Sequence, residues 1–346
     1  MENRKGSKFM LFFNSYRAYI FLAVVLFFGI FANNFFTVFN MNSIMHNASL
    51  NIYIGLGFTI CMIAGHMDLS VGYMATTGMM VALGMRTLSG LPWPAAILIA
   101  LLVGVVVGII NGLLVTKAKI HSFIVTLGMQ FVLRGGMYIY CNGAEISVKG
   151  DFGLSDFLKS MPIKFLPFSW LTIITIVIVV FFAVILAMTR FGRNVHMLGG
   201  NLETAWLAGI GSDFVTILVF VLSSSACALG GALYGISAGT ANPTFGEKGI
   251  APLMIALTAT IIGGTDINGG KGKVTNTWIS IIAINAMFGV VTTLTGKYEI
   301  QVLLIGVVLA TCVIYETYVN YQKQKVLGIR QDLVNKYVAE TGKNKL

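Results

Sequence analysis

Few side chains in this sequence could do chemistry, and most of them interrupt or border long apolar runs. Asp68 and Ser70 stand in Ala64-Gly65-His66-Met67-Asp68-Leu69-Ser70-Val71-Gly72, a polar break with almost no loop around it. A carboxylate there either caps the next helix, accepting hydrogen bonds from its free N–H groups, or stands beside a polar route or gate. His66 has no second His or Glu at ligand spacing, so no metal site is expected. A second break, Ile262 to Lys273, is glycine-rich and ends in lysines, as phosphate-binding loops do. The match fails on spacing: Gly264 and Gly269 are correctly separated, but Gly270 stands where lysine is required, and Lys271 precedes Gly272 instead of a hydroxyl residue. Any ATP dependence therefore belongs to another polypeptide. The zinc-hydrolase, serine-elbow and paired-carboxylate patterns are missing too, so no catalytic residue is assigned.

The other polar residues within apolar runs include Asn111, Gln130, Arg134, Ser223, Ser224, Ser225, Asn276 and Asn285. Arg134 is the costliest, since facing lipid is penalised by at least about 2.5 kcal/mol, so it must meet a carboxylate, carbonyl groups or a watery cavity. Asp68, Ser70, Asn111, Gln130, Arg134 and Asn285 are the candidates for a translocation path or gate.

The elements that carry these residues follow from composition. Of 346 residues, 56% are hydrophobic and 10% charged, and the mean hydropathy is +0.84. Too little polar surface remains to coat a water-facing globule. The net charge of +10 is spread thinly between apolar runs and makes no stripe that could follow a nucleic-acid backbone. An all-α polytopic membrane protein is expected. Runs long enough for a hydrocarbon core of about 30 Å lie near 18–36, 44–64, 69–85, 93–115, 122–141, 168–188, 213–238, 250–262, 274–294 and 299–318. The eighth is too short to span alone and should be tilted or extended.

Ten crossings place both termini on one side. With that side cytoplasmic, sixteen of the 23 Lys and Arg fall inside. Six fall outside, namely Arg86, Lys149, Lys159, Lys164, Lys248 and Lys297, while Arg134 lies within a crossing. This is the positive-inside pattern. The first run lacks a small-x-small cleavage pattern and should remain as an anchor. Five crossings in each half make the halves opposite in direction, which permits an inverted repeat. Residues 1–318 form the membrane domain, and 319–346 a basic cytoplasmic tail suited to anionic headgroups. Glycine stripes at Gly104, Gly108 and Gly112, and at Gly231, Gly235 and Gly239, allow close helix packing, within the chain before any dimer seam. Cys61, Cys141, Cys227 and Cys312 form no CxxC pair and read as packing residues.

The longest internal cytoplasmic connection occupies 189–212. Asn201 can cap a short helix over Leu202 to Ala208, which Gly209 can end in a left-handed conformation. Such a helix presents Trp206 and Leu207 to a groove on a soluble partner.

This stretch resembles the coupling loop of ABC importer permeases, in which glutamate-alanine-alanine, a three-residue gap and glycine dock on the ATPase. Here the residues are Glu203, Thr204, Ala205 and Gly209, with Thr204 a departure. The 64–72 break resembles the Gly-Gly-x-Asp-Leu-Ser-Val-Gly signature of ribose, galactose and xylose-type sugar permeases, although His66-Met67 departs from its first half. Asn111 to Lys117, Phe123 to Gly128 and Ile262 to Gly272 are similar to that family in the same order, so the likeness runs from about 45 to 318.

The resemblance implies an inverted-repeat permease of a bacterial plasma membrane, paired with a second copy or a close paralogue. An ATPase holding ATP and magnesium would pull on Asn201, Glu203, Thr204, Ala205, Trp206, Leu207 and Gly209. An extracytoplasmic binding protein would deliver a sugar-like solute that passes between the subunits. No cofactor or metal is expected in this chain. Two readings stand beside it: an ion-coupled transporter using Asp68 or Arg134, and an ABC permease for nucleosides or branched-chain amino acids.

Overall fold

The computed structural model describes residues 2–148, 150, 152–163, 165–247 and 252–342. Lys149, Lys164, Lys248, Lys343 and Lys345 of the sidedness argument, and Ile250 and Ala251 of the eighth run, lie outside the described residues.

Thirteen helices and one small strand pair occur among the described residues. The first helices are α1 (Glu2–Gly29), α2 (Val38–Ile63), α3 (Val71–Thr87), α4 (Trp93–Thr116) and α5 (Ser122–Tyr140). Strand β1 (Ile146–Ser147) precedes α6 (Gly153–Lys159), α7 (Trp170–Met188), α8 (Arg190–Gly200), α9 (Leu202–Leu207) and α10 (Ser212–Ala238). Strand β2 (Thr240–Ala241), antiparallel to β1, leads to α11 (Pro252–Ile262), α12 (Val274–Thr295) and α13 (Tyr298–Gly342). By their internal contacts, residues 1–305 and 306–346 form separate units.

Local chemistry sets the helix ends. Thr37, Ser169 and Thr189 accept N–H groups of the first turns of α2, α7 and α8 through their hydroxyls. Gly239 and Gly296 end α10 and α12 in the left-handed region, at φ of 74° and 64°.

The core of the first unit is built around α10, which packs on α2, α3 and α4, while α12 packs on α1, α2 and α11. The glycine stripes serve this packing. A Cβ at Gly108 would overlap the Val221 backbone, and one at Gly231 would overlap the Ala75 carbonyl, so α4 and α3 approach α10 backbone to backbone. Other faces are left apolar and open: Leu98, Leu102, Val106 and Ile109 of α4, and Val177, Val180, Phe181 and Val184 of α7, are all exposed. Surfaces of that kind belong in lipid.

Six helices among the described residues are long and apolar enough to cross a membrane: α4, α5, α7, α10, α12 and the Tyr298–Val319 part of α13. Tyr16–Gly29 and Pro252–Ile262 are shorter apolar helices. The protein is thus an all-α polytopic membrane protein.

One boundary differs from expectation. The first run is not helical to residue 36: α1 ends at Gly29, Asn34 takes a positive φ of 60°, and the chain turns so that the Phe35 ring packs against Gly29. Helix α13 continues past residue 319 to Gly342, with no proline to stop it. The last four residues of the expected tail lie outside the described residues.

Candidate functional site

Helix α2 ends at Ile63, Gly65 with φ of 81° turns the chain away from the helix axis, and seven residues, 64–70, pass before α3 begins. Backbone N–H groups freed among buried residues need partners inside the protein. The first turn of α5 supplies them: Met67 N–H donates to Ser122 Oγ at 3.2 Å, and Leu69 N–H to Thr126 Oγ1 at 3.0 Å.

Asp68 is fully buried between these contacts. Its Oδ1 accepts the N–H of Ser70 at 3.0 Å and the hydroxyl of Ser70 at 2.5 Å, and its Oδ2 accepts Ser223 Oγ of α10 at 2.9 Å. Asn111 Nδ2 of α4 then donates to Ser70 Oγ at 3.3 Å. The carboxylate therefore holds Ser70, which itself occupies the N-cap of α3, and fastens it to α10 and α4. The start of α3 and the pairing of α10 with α4 are thus joined in one buried knot, without a side-chain bond to the first-turn N–H groups of α3.

Helix α9 has the geometry its sequence implies. Asn201 Oδ1 accepts Thr204 N–H at 2.9 Å, and Gly209 follows the helix with φ of 75°. Ala205 is buried at the base, whereas Trp206 and Leu207 are 70% and 78% exposed. Glu203 lies in the first turn, where a negative charge suits the helix dipole.

Helix α8 joins α9 to the break. Gly270 N–H donates to the Ile63 carbonyl at 2.8 Å, and the His196 ring lies 3.1 Å from the Gly270 carbonyl. Gly65, Gly199 and Gly269 meet backbone to backbone, and a Cβ on Gly199 would overlap the Ile63 carbonyl oxygen. The end of α2, the end of α8 and the glycine-rich turn thus form one contact with no side chain between them. A cavity of about 460 Å³ beside it is lined by His66, Lys119, Asn201, Asp213 and Thr216 among others.

Arg134 finds the carboxylate its position demands. Glu247 receives both prongs of the guanidinium, and Tyr73 of α3 donates to the same carboxylate. Gln130 lies one turn earlier on α5 and is half-buried. Asn285 is elsewhere: at the middle of α12, its Oδ1 accepts Asn51 Nδ2 from the middle of α2 at 3.3 Å.

The structure therefore gathers Asp68, Ser70 and Asn111, keeps Gln130 and Arg134 together on α5, and separates Asn285 from both groups. The sequence reading did not single out Glu247, Tyr73, Ser122, Gly199 or Asn51. For Asn51 a signal existed, because Asn40, Asn47 and Asn51 recur at helical spacing on α2.

Residues 40–314 match the protein family described as branched-chain amino acid transport system / permease component. The chain belongs to this permease family. Among curated permeases it is 31% identical over 284 residues to the ribose import permease protein of Bacillus subtilis (strain 168), covering 82% of this chain and 86% of that one. It is 29% identical over 310 residues to the D-allose transport system permease protein of Escherichia coli (strain K12), covering 88% and 92%. Identity to the L-arabinose transport system permease protein of that strain is 29% over 303 residues, covering 86% and 88%. No solved structure matches. The polar break, α9 and the glycine-rich turn all lie inside the matched permease region.

Proposed function

We propose that this permease is the membrane-spanning subunit of a binding-protein-dependent ABC importer that carries a sugar or sugar-like solute into the cytoplasm. ATP and magnesium would be held by a separate ATPase, and two copies of this chain, or one with a close paralogue, would enclose the path in a bacterial inner membrane. The names of the relatives support the sugar class, since their substrates are ribose, D-allose and L-arabinose.

The observation that carries this reading is α9: a capped helix with a buried base, an exposed Trp206-Leu207 tip, and a direct backbone contact from the preceding α8 to the α2–α3 break. In this reading 189–212 is the coupling loop, with Asn201, Glu203, Thr204, Ala205, Trp206, Leu207 and Gly209 its docking residues. Closure of the ATPase pulls α9, and α8 passes the displacement to the break that holds Asp68, Ser70 and Asn111. Gln130 and Arg134 belong to the opposite mouth, with Asn285 on that side of the bundle.

The proposed topology has ten crossings, α1 to α5, α7 and α10 to α13, with both termini cytoplasmic, residues 1–318 as the membrane domain and 319–346 beyond it. An inverted five-plus-five repeat is supported by the packing. If α2, α3 and α4 correspond to α10, α11 and α12, the contacts α10–α4, α10–α3 and α3–α4 become α2–α12, α2–α11 and α11–α12, and all six occur.

The test is ATP-driven uptake by the permease reconstituted with its ATPase and binding protein. Glu203→Arg should abolish uptake while leaving the folded permease in the membrane. Undiminished transport in that variant, or uptake by the permease alone that a protonophore collapses, overturns the assignment and favours an ion-coupled carrier.

A further inference from the structure

At the end of α2 farthest from the break, a cavity of about 440 Å³ opens within a single chain. This is within the range of about 300–1,000 Å³ usual for small-molecule sites. Its wall combines the amides of Asn47, Asn51, Asn285 and Gln301 with the rings of Tyr234 and Phe245. No described residue lining it carries a carboxylate, an ammonium, a guanidinium or an imidazole. Asn51 and Asn285 are buried and joined to each other, and among the described residues none donates to Asn51 Oδ1.

That lining selects a class of ligand. A primary amide both donates and accepts, so several of them match the hydroxyls of a neutral polyol, and aromatic faces pack on the C–H face of a sugar ring. An amino-acid zwitterion needs partners for two full charges, and the lining offers none.

Farther along the same interface the space closes. Thr59 Oγ1 lies 3.1 Å from Thr260 Oγ1 and donates to Thr277 Oγ1 at 3.0 Å. Thr59 is eight residues beyond Asn51 on α2, and Thr277 eight residues before Asn285 on α12, so the hydroxyl cluster lies about 12 Å below the amide pair. Between them Ile281 fills the space against Gly55.

We infer that each permease subunit holds its own binding station for one neutral monosaccharide in this cavity, with Asn51, Asn285 and Gln301 bonding its hydroxyls above the closed Thr59–Thr260–Thr277 cluster. The inference rests on the sugar reading above and adds a stop inside the subunit, away from any path between subunits.

The test places a reporter at the cavity wall, Thr293→Cys in a Cys312→Ser background, and follows maleimide labelling of the permease in nanodiscs with D-ribose, D-allose, L-arabinose or L-leucine. At least one sugar should slow labelling threefold or more, and L-leucine should not. Asn285→Leu, and separately Gln301→Ala in case the first fails to fold, should remove the protection without changing the rate in buffer. Protection by L-leucine, or protection that survives both substitutions, overturns the station. Uptake of the same sugars by the reconstituted complex separates the two readings. Transport without protection by any sugar sinks the station alone, protection without transport sinks the importer reading alone, and absence of both sinks both.

Discussion

Arg134 and Glu247, 113 residues apart, form a two-point ion pair, with Nε 2.6 Å from Oε1 and Nη2 2.8 Å from Oε2. Tyr73 donates to the same carboxylate, so the pair ties α5 and α3 to the segment after α10. Both side chains are partly exposed, so solvent screening limits the stability the pair can provide. Arg134→Glu should lower ATP-driven uptake about fivefold, the rate equivalent of about 1 kcal/mol. The exchange Arg134→Glu with Glu247→Arg should recover most of it. Failure of the exchange to rescue would show that the guanidinium acts through some other contact.

Asp68 should govern stability. Asp68→Ala leaves the buried Ser70 N–H without its acceptor, a loss of about 1–3 kcal/mol. Ser223→Ala removes one donor and should cost about 1 kcal/mol. Thermal unfolding in detergent should rank the variants wild type, Ser223→Ala, Asp68→Ala, from most to least stable. An Asp68→Ala protein as stable as wild type would contradict the knot.

Gly199 and Gly200 make a paired test of the contact between α8 and the break. A methyl on Gly199 has no room beside the Ile63 carbonyl, whereas one on Gly200 meets nothing within 4 Å. Gly200→Ala should transport like wild type. Gly199→Ala should lose most uptake and most permease-dependent stimulation of the ATPase, and equal activity of the two variants would remove the backbone contact from the mechanism.

What the sequence discloses depends on how local the deciding contact is. The α9 cap and stop are legible because Asn201, Thr204 and Gly209 lie within nine residues and act on their own backbone. The demand of Arg134 for a carboxylate is equally legible, but its answer is not: Glu247 lies in a polar connection that no periodicity links to α5. The turn at 30–36 is hidden for the opposite reason, since Phe31, Phe35 and Phe36 read as a continuation of an apolar helix, and only Phe35 packing back on Gly29 reveals the bend. Asn285 stands out in the sequence as an isolated polar residue, and its neighbours Asn51 and Gln301 emerge only when α2, α12 and the start of α13 are brought to one cavity. The Gly65–Gly199–Gly269 contact joins three distant segments through backbone alone, which side-chain patterning does not report.

If α9 is the handle for the ATPase, its cap should set coupling strength. Asn201→Ala removes the side-chain acceptor for Thr204 N–H and should weaken the short helix by about 1 kcal/mol, while Asn201→Asp keeps an acceptor there. A six-residue helix has little internal stability to spare. The permease–ATPase affinity should therefore fall about fivefold for Asn201→Ala and little for Asn201→Asp, following the logarithmic relation of binding energy to affinity. Gly209→Ala should produce a similar loss by a different cause, because a φ of 75° costs a residue with a Cβ about 1–2 kcal/mol. Sedimentation or surface-binding measurements with the isolated ATPase distinguish the cases. Unchanged affinity for both Asn201→Ala and Gly209→Ala, with the fold intact, would mean that the ATPase grips a different part of the permease.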